Sequence, residues 1–138
     1  MALLPSLFGA FGEGSFIEAP FRCDYGANIF VGRETFVNFG AVVLDPAPVT
    51  IGDKVQIGPN VQILTADHPR EPELRAAFVE LAKPVTIGSG VWIGAGAIVC
   101  PGVEVGEGSI IGAGSVVTRS IPAGVVAAGN PCRVLREL

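Results

Sequence analysis

From Ile87 onward the chain repeats its pattern of apolar and small positions every six residues, as IGSGVW, IGAGAI, VCPGVE, VGEGSI, IGAGSV and VTRSIP. The first position is Ile87, Ile93, Val99, Val105, Ile111 and Val117, all aliphatic and β-branched, and the second is glycine at 88, 94, 106 and 112. The fifth is small or branched: Val, Ala, Val, Ser, Ser, Ile. The same spacing holds for Ile51, Ile57 and Ile63, and before them for Val31, Val37 and Val43, with a two-residue shift at DPAPVT between those blocks. Six fits neither the 3.6-residue period of a helix nor plain two-residue strand alternation. It fits one short strand-like segment per hexad, joined by tight corners, with the aliphatic side chain inward and glycine supplying corner dihedrals that other residues avoid. Coils stacked at strand spacing, about 4.7–4.9 Å, then fill the interior with an aliphatic ladder, each burying its face only against its neighbours. The expected fold is all-β, a parallel β-helix of hexapeptide repeats.

The pattern stops between Ile63 and Val85. The intervening LTADHPREPELRAAFVELAKP carries three prolines and many charges, which predicts an external loop over about 65–84 with one short helical turn around PELRAAF. His68, the only histidine of the chain, stands at the start of that loop. Taken alone it is either a catalytic base or a polar turn residue beside a proline. Its place tells in favour of chemistry, because loops inserted in a rigid scaffold are where function concentrates.

Composition narrows the picture further. A chain of 138 residues is long enough for one domain with a real core, and 19 glycines and 11 prolines interrupt every candidate helix. The net charge is −4 with only 16% charged residues and no Lys/Arg cluster, so there is no electrostatic case for nucleic acid. The opening MALLPSLFGAFGEG is apolar but lacks a basic stretch and has Pro5, unlike a signal peptide. Uncharged Pro84–Val103 holds five glycines and two prolines, too many for a membrane helix. Cys23, Cys100 and Cys132 lack CxxC spacing, which points to neither a disulfide framework nor a zinc site. As small buried hydrophobes they suit a reducing cytosol, and a cytoplasmic protein is expected.

Longer strings are more specific than the hexads. PFRCDYGANI, VNFGAVVLD, IGDKVQIGPNVQILTADHP, KPVTIGSGVWIGAGAIVCPGVEVGEGSIIGAGSVVT and AAGNPCRVLREL resemble, in order, the hexapeptide-repeat O-acetyltransferases of the maltose, galactoside and nodulation branch. The resemblance covers about Phe16 to Leu138. It implies a left-handed β-helix domain over 16–138 after a lead-in segment over 1–15, with a short C-terminal segment. It also implies a homotrimer with active sites at the subunit interfaces, acetyl-CoA as donor, no metal, and a small-molecule acceptor, expected to be a sugar.

Carried over residue by residue, the resemblance makes His68 the general base. A neutral imidazole can take the proton of an acceptor hydroxyl as it attacks the thioester, without a nucleophilic serine or cysteine. Glu80 matches the loop glutamate that orients this ring, the logic of a triad's third member. Asn38 matches an acceptor or oxyanion contact, although asparagine also suits a left-handed hexad corner. Asp45 matches an acceptor-binding position and could equally start a turn before Pro46; Asp24 and Tyr25 are weaker candidates for the same pocket. On the donor side Trp92 matches the tryptophan beside the pantetheine tunnel, its alternative being core or trimer packing. The backbone at Ala95 and Ala113 matches positions along the pantetheine arm. Thr118, Arg119, Arg133 and Arg136 match the polar and basic group at the nucleotide end, the arginines otherwise being solvated charges. Arg119 stands where lysine is commoner, which keeps the charge but changes the phosphate geometry.

One departure concerns the start. The family ordinarily begins with a helical domain that helps close the acceptor site, whereas MALLPSLFGAFG resembles only the segment before the β-helix; the expectation is a shorter member or a truncated chain. Acceptor choice rests on contacts to particular hydroxyls, so sugar specificity does not carry over. Among competing readings, a γ-type carbonic anhydrase needs three histidine ligands on zinc, and one histidine does not supply them. A serine or antibiotic acetyltransferase shares the histidine but not FRCDYG and AAGNPCRV. A non-catalytic β-helix assembly module would leave ADHP and Glu80 in family order without a purpose.

Overall fold

In the computed structural model, which describes residues 3–138, the period of six becomes a coil with three flat faces; Met1 and Ala2 of the expected lead-in lie outside the described residues. The first face stacks strands Ala10–Phe11, Ile29–Val31, Val49–Ile51, Val85–Ile87 and Glu104–Val105. The second stacks Phe16–Ile17, Phe36–Val37, Gln56–Ile57, Trp92–Ile93, Ile110–Ile111 and Val125–Gly129, then Cys132–Glu137. The third stacks Phe21–Cys23, Ala41–Leu44, Gln62–Leu64, Ile98–Val99 and Val116–Val117. Neighbours within a face run parallel except Cys132–Glu137, which folds back antiparallel on Val125–Gly129.

Register follows the hexads. Val31, Ile51, Ile87 and Val105 lie one above another on the first face. Val37, Ile57, Ile93 and Ile111 do so on the second, and Val43, Ile63, Val99 and Val117 on the third. The interior is therefore three aliphatic ladders that meet, and every rung is buried. The fifth hexad position is buried too, at Val91, Ala97, Val103, Ser109, Ser115 and Ile121. The two serines keep their hydroxyls satisfied there, donating at 2.6 Å to the carbonyls of Pro122 and Gly112 and accepting the N–H groups of Val125 and Gly129 at 3.1 Å. A buried hydroxyl without such partners would be costly.

The corner glycines divide the work differently from expectation. The left-handed dihedrals fall on the fourth hexad position, at Gly96 (φ 69°) and Gly114 (φ 70°) for example, and at Glu34, Lys54 and Asn60 in the earlier coils. Second-position glycines are needed for space instead: a methyl group on Gly94 would sit 2.5 Å from the backbone nitrogen of Ala113 in the next coil. Backbones stacked at strand spacing leave no room for a Cβ between them at that point.

Two further features frame the site. The helical turn Leu4–Leu7 leads into Phe8, whose buried ring meets Phe11 and Phe21 at centroid distances of 5.8 and 5.5 Å, and Ala10–Phe11 pairs with Phe30–Val31. Ala10–Phe11, within the expected lead-in, is thus the outermost strand of the first face. The expected external loop leaves the corner after the third face as an antiparallel ladder, Ala66 opposite Ala82 and Asp67 opposite Leu81, with one helical turn at Pro72–Ala76. Buried Thr65 pins its base, donating to the Leu44 carbonyl at 2.8 Å while its own carbonyl accepts the Lys83 N–H at 2.9 Å.

Two substitutions separate the glycine roles. Gly114→Ala places its methyl in open space and should cost about 1–2 kcal/mol, the left-handed penalty. Gly94→Ala must push two backbones apart and should cost more, toward about 3 kcal/mol, the upper range for overpacking. Denaturant unfolding checks the order, and equal losses would contradict it.

Candidate active site

The corner between the third and first faces carries the loop and, in neighbouring coils, the turns 24–28, 44–48 and 118–120. Here Asp24, Tyr25, Pro46, His68 and Glu80 line one open cleft of about 370 Å³. His68 is exposed, and it is held through its backbone. Its N–H donates to Asp67 Oδ1 at 2.8 Å, and its carbonyl accepts Arg70 Nη1 at 2.9 Å. Arg70 also meets Asp67 Oδ1 at 3.3 Å, and Lys83 Nζ lies 3.7 Å from Asp67 Oδ2. Arg75 closes the turn by donating to the carbonyls of Pro69 and Arg70 at 3.0 and 2.7 Å. The imidazole is thereby left to the cleft while its backbone is anchored.

The His68 N–H bond, foremost, holds the Asp67 carboxyl below its ordinary value; burial opposes it, and Arg70 and then Lys83 add to the lowering. Sequence reasoning missed Asp67, Arg70, Arg75 and Lys83. The available signal was the opposite charges at 67 and 70, three residues apart around His-Pro, with a lysine returning at the loop's end.

The remaining expected residues fall into separate places. Glu80 reaches the His68 cleft from the far side of the loop, but among the described residues no hydrogen bond joins its carboxylate to the histidine ring. Asp45 lies under the cleft, fully buried. Its oxygens are taken up by backbone N–H groups of the 24–28 turn, so it supports the cleft wall rather than lining it. Thr118 and Arg119 occupy the same corner as His68, two coils further along, and are exposed.

Asn38, Ala95 and Ala113 stand at a different corner, between the second and third faces. Asn38, Gly58 and Gly94 hold equivalent places in three successive coils there, donating N–H to the Ile57, Ile93 and Ile111 carbonyls. Asn38 Oδ1 accepts the Phe39 N–H at 2.8 Å, and the left-handed residues of that corner include Gly40 and Asn60, not Asn38. Trp92 is on the second face, in register with Gln56 and Ile110 and 53% exposed, which removes the core-packing alternative. Arg133 and Arg136 extend exposed from the terminal strand on that same face. The aliphatic core separates this group from the His68 cleft. Among the described residues no group of three or more His, Cys, Asp or Glu side chains is placed to hold a metal ion, and no helix is long and apolar enough to cross a membrane.

Comparison with known proteins gives the family of the chain. Residues 84–119 match the model of the bacterial transferase hexapeptide (six repeats). The chain is 60% identical over 126 residues to nodulation protein L of Rhizobium meliloti (strain 1021), covering 91% of this chain and 69% of that protein. It is 46% identical to the galactoside O-acetyltransferase of Escherichia coli (strain K12), covering 99% of this chain and 68% of the relative. Its structure superposes with a TM-score of 0.97 on a hexapeptide-repeat-containing acetyltransferase of Vibrio cholerae O1 biovar eltor solved with acetyl coenzyme A; the two are 42% identical, and the match covers 99% of this chain and 75% of the other.

The Asp67 anchor gives a pH expectation. Its deprotonated form is favoured in the folded chain, so its hold on the loop is complete above the ordinary carboxyl value of 3.8 and is lost as pH falls through the lowered folded pKa. Carboxyl-carbon NMR should place its midpoint below 3.8. Replacing both Arg70 and Lys83 with alanine should raise the midpoint only partway, because the His68 N–H bond remains. A wild-type midpoint at or above the ordinary value would contradict the anchor.

Proposed function

The chain belongs to the hexapeptide-repeat acetyltransferase family, and on that premise we propose that it moves an acetyl group from acetyl-CoA to a hydroxyl of a small acceptor, with His68 as general base. One observation carries the reading: the only imidazole of the chain is exposed in a cleft with Asp24, Tyr25 and Glu80, on a turn whose backbone is pinned. The acceptor O–H gives its proton to the neutral ring as its oxygen attacks the thioester carbonyl. The tetrahedral oxyanion then collapses, the C–S bond breaks, and the coenzyme A thiolate recovers the proton from the imidazolium. Glu80, already on this cleft, orients the ring and stabilises the imidazolium when the site closes; catalytic hydrogen bonds often tighten only with substrate in place.

A sugar is the acceptor we favour. The cleft offers the Asp24 and Glu80 carboxylates and the Tyr25 phenol, groups that hydrogen-bond hydroxyls and repel an acceptor carrying phosphate. Serine or an antibiotic is the alternative acceptor class. The donor would run past Trp92 and the backbone at Ala95 and Ala113, with Thr118, Arg119, Arg133 and Arg136 toward its nucleotide end.

These groups cannot meet within one chain. Asn38, Ala95 and Ala113 occupy one corner and His68 another, with a filled core between. A complete site therefore draws on two copies, one giving the histidine cleft and the other the corner of Asn38 and Ala95, which a closed homotrimer repeats three times. Free Cys23, Cys100 and Cys132 fit a reducing compartment such as the cytoplasm.

Coenzyme A thiol release with a panel of sugars, sugar phosphates and serine tests the chemistry. His68→Ala should lower turnover by at least about a hundredfold, the scale of general-base loss, with neutral sugars ahead of their phosphates. Equal rates in both proteins would sink the mechanism, and no release with any acceptor would favour an assembly module. Shared sites are tested by refolding His68→Ala and Asn38→Ala chains together. Activity should return to about a quarter of the wild-type sites, the share at which both intact residues meet in random trimers; sites contained within single chains would give no recovery.

A further inference from the structure

Asp45 is fully buried, and its two carboxylate oxygens serve a single turn. Oδ1 accepts the N–H groups of Asp24 and Tyr25 at 3.1 and 2.9 Å, and Oδ2 accepts those of Gly26 and Asn28 at 2.8 and 3.3 Å. The Asn28 side-chain amide returns a bond to the Asp45 carbonyl at 2.8 Å. An ionised carboxylate offers about four lone-pair sites, and four N–H groups take them up. No lone pair and no surface remain for an acceptor.

The turn needs this anion. Its N–H groups converge on one point at a corner, Gly26 is buried with φ 83°, and amides left without an acceptor away from water are expensive. What the turn carries outward is Asp24 and Tyr25, both exposed and both on the His68 cleft. We propose that Asp45 is a positioning residue for acceptor binding: it gathers the 24–28 turn and so sets where Asp24 and Tyr25 stand opposite His68. The inference rests on the functional reading above, in which that wall binds the acceptor.

Two features support it. Cys23, next to the turn, has its thiol pushed up by burial first and then by the negative charges of Asp45 and Asp24, which lie close beside it. Asp45 also precedes Pro46, another residue of the cleft, so one buried group joins two coils of the same wall.

Asp45→Asn keeps the shape and one accepting oxygen while turning an NH2 group toward two N–H donors. Amide exchange read by NMR should then speed up at least about tenfold at Tyr25, Gly26 and Asn28, a local opening. The kcat/KM for the acceptor should fall about 10- to 100-fold, the scale of lost hydrogen bonds to a charged group, mostly through acceptor KM. The KM for acetyl-CoA should stay within about twofold. Unchanged exchange, faster exchange with unchanged acceptor KM, or equal losses toward both substrates would each overturn the proposal, the last marking general destabilisation. Should Asp45→Asn fail to fold, Asn28→Ala removes the return bond alone and should move exchange and acceptor KM in the same direction by less; no movement in either overturns it. A wild-type chain that acetylates nothing defeats the functional reading and with it the acceptor role, whereas a wild type that turns over beside an indifferent variant defeats only the role of Asp45.

Discussion

Backbone-to-backbone stacking of successive coils is the constraint on which everything else here depends. A coil of this chain has no partner layer to cover it, so each aliphatic rung finds burial only beside the rungs above and below. That requires parallel register on three faces at once, which the Val31-Ile51-Ile87-Val105 column and its two counterparts keep. It also requires the backbones to approach at the corners, which is why glycine recurs at the second hexad position. One residue gained or lost within a face would turn inward-pointing side chains out.

The same constraint decides where chemistry can be placed. Faces are committed to ladders, so added residues are accommodated only at corners. Two enter around Asp45–Pro48, and the long loop enters at the same corner one coil later. This aligns the 24–28 turn, Pro46 and the start of the loop in one column beside His68. Asn38, Ala95 and Ala113 form a comparable column at another corner. The proposed reaction needs both columns, and a solid triangular core keeps them apart in one chain. Assembly is therefore part of the proposed mechanism and not an addition to it.

Charge is used sparingly and locally. Ionic contacts at the site gather on Asp67, which ties Arg70, Lys83 and the His68 backbone together, and the buried carboxylate of Asp45 is matched by N–H groups alone. In the first case the anion fixes the residue proposed as base. In the second it shapes the wall opposite.

Much of this was legible along the chain. The six-residue period determined the coil, the buried residues and the loop limits, because hydrophobic burial at a fixed spacing is a local property that a linear pattern records. The break at LTADHP located His68 for the same reason. The roles of the two glycine positions were not legible, since both look alike until the next coil's backbone is in place. Nor was the part played by Asp45: a carboxylate before a proline reads as a turn or a ligand contact, and only the convergence of four N–H groups from residues seventeen to twenty-one positions earlier shows what it holds. Glu80 reached the cleft but not the histidine ring, because side-chain pairing depends on how a loop closes and not on its order of residues. The sequence determined the repeat and the place of its single histidine in the loop. The tertiary structure decided which corner each group stands on, because that depends on how many residues separate the coils and not on any residue alone.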